Sequence, residues 1–71
     1  MKKKVLVIGG AGFIGSNLSR HLIKNNMEVY CFDMSKPVHE IAGVNYICGD
    51  FFDDYTLEHA LEGMDYVVHA L

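Results

Sequence analysis

The sequence has no tryptophan, a single proline and only two cysteines in 71 residues. A secreted mini-protein of this length usually carries roughly four to eight cysteines in a disulfide framework. Cys31 and Cys48 are therefore expected to be two buried, reduced thiols of a cytoplasmic protein. Neither belongs to a CxxC pair or has a neighbouring ligand at zinc spacing, so no metal site is expected. Basic excess is missing too. Six Lys and Arg against nine Asp and Glu give −3 at pH 7, and the only basic run is Lys2-Lys3-Lys4. That balance excludes the basic face of a nucleic-acid-binding module and a polybasic membrane anchor. No stretch approaches the roughly 18 consecutive apolar residues of a membrane span. Lys2-Lys3-Lys4 followed by an apolar stretch has the outline of a signal peptide. Glycines interrupt that stretch, however, and no small-x-small cleavage site follows.

What is present is a hydrophobic share of 51%, enough for a globular core and too much for a disordered chain. One small domain is the upper limit, because a chain of this size buries only about 60% of the surface it exposes when unfolded. Val5-Leu6-Val7-Ile8 is a continuous β-branched-rich run, the pattern of a strand buried on both faces in a parallel sheet. Gly9 to Gly12 is a glycine-rich turn. From Phe13 to Lys24, Ile14, Leu18 and Leu22 recur at every fourth position with Ile23 beside them, while Asn17, Arg20 and Lys24 take the opposite face. This predicts an amphipathic helix ended by Asn25-Asn26, since Asn tolerates the left-handed conformation. Glu28-Val29-Tyr30-Cys31-Phe32 predicts a second strand ending at Asp33, and Val44-Asn45-Tyr46-Ile47-Cys48 a third. The ten-residue connection between them contains Pro37 and is expected to form a turn or short helix around residues 38–42. Asp53 is a good N-cap for a short helix buried through Leu57, Ala60 and Leu61 and closed by Gly63. Tyr66-Val67-Val68-His69-Ala70 predicts a fourth strand.

Right-handed crossovers then give an α/β fold, a four-stranded parallel sheet in the order 3-2-1-4 with helices on both faces. This is the Rossmann-type arrangement, a partial doubly wound fold. In such a sheet the crevice forms where the chain reverses direction, between strands 1 and 4. Gly9-Gly10-Ala11-Gly12-Phe13-Ile14-Gly15 occupies that point and satisfies two spacings, GxGxxG through Gly10, Gly12 and Gly15, and GxxGxxG through Gly9, Gly12 and Gly15. The motif leaves a strand and opens a helix, the context a dinucleotide-binding turn requires. The first glycine permits a sharp turn, Gly12 lets a pyrophosphate approach the main chain, and Gly15 allows close helix packing. The helix start supplies N–H groups and a partial positive charge. Asp33, 21 residues after Gly12, can accept the hydroxyls of an adenosine ribose. A 2′-phosphate about 4 Å from that carboxylate would cost roughly 1–4 kcal/mol per charge pair, which favours NAD over NADP. Lys36 pulls the other way, as a possible partner for a 2′-phosphate.

The run from Gly9 to Leu18 resembles the opening of the extended short-chain dehydrogenase/reductases, the NAD-dependent epimerase/dehydratase group. Three further segments carry the likeness: Asp33 at the end of strand 2, Gly49-Asp50-Phe51-Phe52-Asp53 after strand 3, and Asp65-Tyr66-Val67-Val68-His69-Ala70. Ile8 departs from the family, which often has threonine there. The resemblance implies that Phe13 and Ile14 give main-chain N–H groups to the pyrophosphate. It also implies that Asp50 binds the adenine amino group with the Phe51 N–H close by, and that Ala70 lines the cofactor. On turn propensity alone, Asp50 is simply a turn residue after a glycine. His69 is expected to be a satisfied core histidine, and His21, His39 and His59 surface residues.

The family's acid–base pair, Tyr-x-x-x-Lys, is absent. The residues four beyond Tyr30, Tyr46, Tyr55 and Tyr66 are Met34, Asp50, His59 and Ala70, so no catalytic residue is expected here. Residues 1–71 are expected to be the dinucleotide-binding half-domain of a longer epimerase/dehydratase acting on a nucleotide sugar, cut after the fourth strand. A stand-alone NAD- or AMP-binding module without catalysis, a half-fold that pairs with a second chain, and an NADP-dependent reductase fragment are the alternatives. Self-association through the free edge of residues 66–70 is expected on the first reading.

Overall fold

A computed structural model describes residues 2–70. The elements are β1 (Lys4–Ile8), α1 (Phe13–Lys24), β2 (Glu28–Asp33), β3 (Asn45–Cys48), α2 (Asp54–Leu61) and β4 (Tyr66–His69). All the strand pairs are parallel and the sheet order is β3-β2-β1-β4. The topology is the one the strand pattern predicts.

The side-chain alternation of the two inner strands divides the core between the faces of the sheet. Val5, Val7, Val29 and Cys31 point to one face and meet Leu18, Leu22 and Ile23 of α1. Leu6, Ile8 and Phe32 point to the other and meet Leu57 and Ala60 of α2. Both inner strands are therefore apolar at successive positions, and each fully buried Val, Leu or Phe contributes about 1.5–3 kcal/mol. The buried seam of α1 is displaced from the Ile14-Leu18-Leu22 stripe. Gly15 and Ser19 are its buried residues, with Leu18, Leu22 and Ile23 flanking them, whereas Ile14 is 70% exposed. Ile14 thus falls at the rim of that seam and is absent from both core clusters of the described residues. Ser19 can be buried because its hydroxyl donates to the Gly15 carbonyl at 2.7 Å and lies 3.2 Å from the Cys31 sulfur.

Two other expectations need correction. Leu61 is exposed, because α2 buries only one narrow stripe through Ala60. Cys48 is an exposed free thiol at the end of edge strand β3, and only Cys31 is buried. Of the two forms expected for the connection between β2 and β3, it takes the turn: bends lead to a turn in which the Val44 N–H bonds the Ile41 carbonyl. Tyr46 holds this connection by accepting the Ile41 N–H on its hydroxyl.

The helix ends follow their side chains. Asn26 takes the left-handed conformation (φ 63°) after α1, and Gly63 (φ 75°) follows α2. At the start of α2, Asp53 accepts the Tyr55 and Thr56 N–H groups and the Thr56 hydroxyl. Those bonds, the Thr56 hydroxyl foremost, hold the Asp53 carboxyl below its ordinary range. A carboxylate depressed in the folded state stabilises the fold above its unfolded pKa of about 3.9 and loses that contribution as pH falls through its lower folded value. Asp53→Ala is therefore expected to lower the melting temperature at pH 7. The gap from wild type should narrow on acidification below that range, as read by circular dichroism melts across pH.

Candidate functional site

The site is assembled where β1 gives way to α1. The Gly9 N–H bonds the Phe32 carbonyl at 2.8 Å, extending the sheet by one rung, and Gly9 then turns with φ 87°, which favours a residue without Cβ. Gly10 is buried against β2, where an added Cβ would fall inside the Cys31 side chain. Sequence reasoning assigned Gly10 only a place in a spacing; its packing against Cys31 depends on a residue on another strand. Burial pushes the Cys31 thiol up in pKa, so it is an inert packing group.

Gly12 is the N-cap of α1 and offers no side-chain acceptor, so the first-turn N–H groups have no capping partner on it. The first α-helical bond of this turn is the Ser16 N–H to the Gly12 carbonyl, 2.8 Å. A Cβ built on Gly12 would find only the Gly9 carbonyl oxygen, at 3.7 Å. Gly15 is the reverse case: a Cβ there would overlap the Gly9 carbonyl oxygen and lie 2.7 Å from the Gly10 Cα. Gly15 thus admits the turn's own backbone, where the sequence pattern suggested only close packing of helix on sheet.

Asp33 closes the arrangement from β2. One carboxylate oxygen accepts the Ala11 N–H at 3.1 Å, and the other accepts the Ser35 N–H at 3.0 Å. The carboxylate is thereby fixed beside the glycine turn with lone pairs still available, since a carboxylate accepts about four bonds.

Beyond Asp33 an open cleft of about 300 Å³ runs across the strand tips, lined by Ile8, Gly9, Phe32, Asp33, Met34, Gly49, Asp50, Phe51, Phe52 and His69. Gly49 gives the chain room to cross here, because a Cβ would meet Thr56 at 2.6 Å and the Phe32 ring at 2.8 Å. Asp50 accepts the Phe52 N–H at 2.9 Å, which holds the loop as an Asx turn. The structure thus brings Gly9, Asp33, Asp50 and Phe51 to one cleft. Gly12 and Phe13 border a second groove of about 340 Å³, shared with Arg20 and with residues 37–39 of the β2–β3 connection. Ile14 and Gly15 line neither. Ala70 is half-buried on the α1 face, its N–H bonded to the Ile8 carbonyl at 2.8 Å.

His69 is not the core residue expected of it. It is exposed, lines the cleft and stacks on Phe51, with ring centroids 5.3 Å apart and an interplanar angle of 17°. Period-two alternation gives its face, opposite Val68 and Ala70. Which side chain would meet it there depends on a loop from the far edge of the sheet.

Comparison with known proteins agrees with this fold. The family model described as the NAD dependent epimerase/dehydratase family matches residues 5–71. The 2-alkyl-3-oxoalkanoate reductase of Stenotrophomonas maltophilia is 40% identical over 67 residues, covering 93% of this chain and 20% of its own length. Among solved structures, the epimerase Mth375 of Methanothermobacter thermautotrophicus superposes with a TM-score of 0.84 at 37% identity, covering 99% of this chain and 23% of that one. The Bordetella bronchiseptica enzyme WbmG, solved in complex with NAD and again with NAD and UDP, gives 0.81 at 31% identity, covering 100% of this chain and 25% of its own. The chain thus spans between a fifth and a quarter of the length of these relatives.

Proposed function

The chain belongs to the NAD-dependent epimerase/dehydratase family, and from that premise we propose that residues 2–70 bind NAD, within a protein that acts on a nucleotide sugar. The observation that carries the reading is the open space over Gly12, next to a helix start without a side-chain cap and a carboxylate fixed beside the turn. A diphosphate fits that cradle, held by the main-chain N–H groups of Phe13 and Ile14. Asp33 receives the adenosine ribose on its free lone pairs, while Asp50 and the main chain at Phe51 receive the adenine in the cleft. Ala70 borders the cofactor from the tip of β4. When bound, NAD supplies the hydride acceptor and donor. The UDP found with NAD in the WbmG structure supports a nucleotide sugar as the substrate class.

Asp33 also carries the preference for NAD over NADP, because its carboxylate repels a 2′-phosphate. Calorimetric titration of the chain with NAD, AMP and NADP tests this. NAD is expected to bind more tightly than NADP, and Asp33→Ala to reduce the NAD-to-NADP affinity ratio at least tenfold, about 1.4 kcal/mol. No NAD or AMP binding by the wild-type chain would overturn the reading. An unchanged ratio would remove Asp33 from it.

A further inference from the structure

Phe51 and His69 come from opposite edges of the sheet. Phe51 follows β3 and His69 ends β4, and β2 and β1 lie between those strands. Parallel strands are spaced about 4.8 Å apart, so β3 and β4 are separated by roughly 14 Å and share no hydrogen bonds. The two rings nevertheless stack, 5.3 Å between centroids, because the loop starting at Gly49 carries Phe51 back over the tips of the inner strands. Phe52 braces the same ring edge-on, with centroids 5.7 Å apart. The strand tips and this aromatic bridge together line the cleft.

We propose that His69 is a positioning residue for the nucleotide base: its ring, stacked on Phe51, holds the loop that carries Asp50 in place over the cleft. The inference rests on the proposed binding of the adenine in this cleft. The role belongs to the flat ring, with no charge required, so an aromatic replacement should preserve it. Deleting the ring leaves the diphosphate cradle untouched, since Gly12 and the first turn of α1 lie outside this cleft. His69 is exposed and on an edge strand, so its replacement is well tolerated by the fold.

The test is calorimetric titration of the full chain and its His69→Ala and His69→Phe variants with AMP and, separately, with inorganic pyrophosphate. His69→Ala is expected to weaken AMP binding about tenfold and leave pyrophosphate binding unchanged, while His69→Phe restores AMP affinity to within about twofold of wild type. Such a loss corresponds to about 1.4 kcal/mol, within the range of an aromatic pair. Equal AMP binding by wild type and His69→Ala overturns the proposal, and so does a parallel loss of pyrophosphate, which would mark general damage. Failure of His69→Phe to restore binding overturns the ring-based role. Should wild type itself bind no AMP, the adenine site falls instead, and the two failures are thus separable.

Discussion

Gly15→Ala is expected to remove most of the folding stability of this chain. The added methyl would overlap the Gly9 carbonyl oxygen and lie 2.7 Å from the Gly10 Cα and 3.1 Å from its carbonyl carbon, all of them backbone atoms. No side chain is available to swing aside. Nor can the turn retreat, because Gly9 is tied to the Phe32 carbonyl and Gly10 is pressed onto Cys31. The remaining escape is to lift α1 from the sheet, which would open the face on which Leu18, Leu22 and Ile23 cover Val5, Val7 and Val29. Overpacking ordinarily costs about 1–3 kcal/mol, and more where backbone must move. A single core below about 70–80 residues rarely supplies more than about 3–5 kcal/mol. Urea unfolding followed by circular dichroism should show the midpoint fall by at least half, or no cooperative transition at all. A midpoint equal to wild type would mean that the turn is softer than its packing indicates.

The features that could be read directly from the residues are those decided locally. The β-branched run of β1, the glycine spacing after it, Asn26 and the Asp53 cap each declare themselves within a few positions, because sterics and short-range hydrogen bonding govern them. The sheet order followed from crossover handedness acting on that element sequence. What was hidden depends on distant partners. Ile14 has helical periodicity, but the buried seam of α1 runs through Gly15 and Ser19 and leaves it exposed. Cys48 has the composition of a strand residue, yet edge position leaves it exposed. Ser19 appears polar and solvent-facing until the Gly15 carbonyl and the Cys31 sulfur are found beside it. Within the candidate site, Gly9 and Asp33 were legible because their types and spacing carry the chemistry, whereas Asp50 was singled out only by the family resemblance. The dependence of Gly10 on Cys31, and of Phe51 on His69, was not legible, since each joins elements far apart in sequence.

Gly12→Ala is expected to give the opposite outcome from Gly15→Ala: a folded chain that has lost its dinucleotide. Gly12 has φ −77°, open to any L residue, and its added Cβ would make only an ordinary contact, 3.7 Å from the Gly9 carbonyl oxygen. As an N-cap, alanine is poorer than glycine by about 0.5–1 kcal/mol, so stability falls only modestly. The empty space matters for the ligand instead. A diphosphate oxygen must come within about 2.7–3.1 Å of a main-chain N–H at the start of α1, and a methyl group on Gly12 stands in that approach. NAD affinity is expected to fall at least a hundredfold, about 2.7 kcal/mol. Adenosine, which carries no phosphate, should bind the variant as it binds wild type, because the cleft beside Asp33 and Asp50 is unaltered. Calorimetry with the two ligands reads both effects on one folded protein. If Gly12→Ala kept its NAD affinity, the diphosphate would have to be held elsewhere, and the proposal for the turn between β1 and α1 would fail with the fold intact. Two glycines three residues apart, one closed by backbone and one facing open space, thus separate the demands of folding from those of binding.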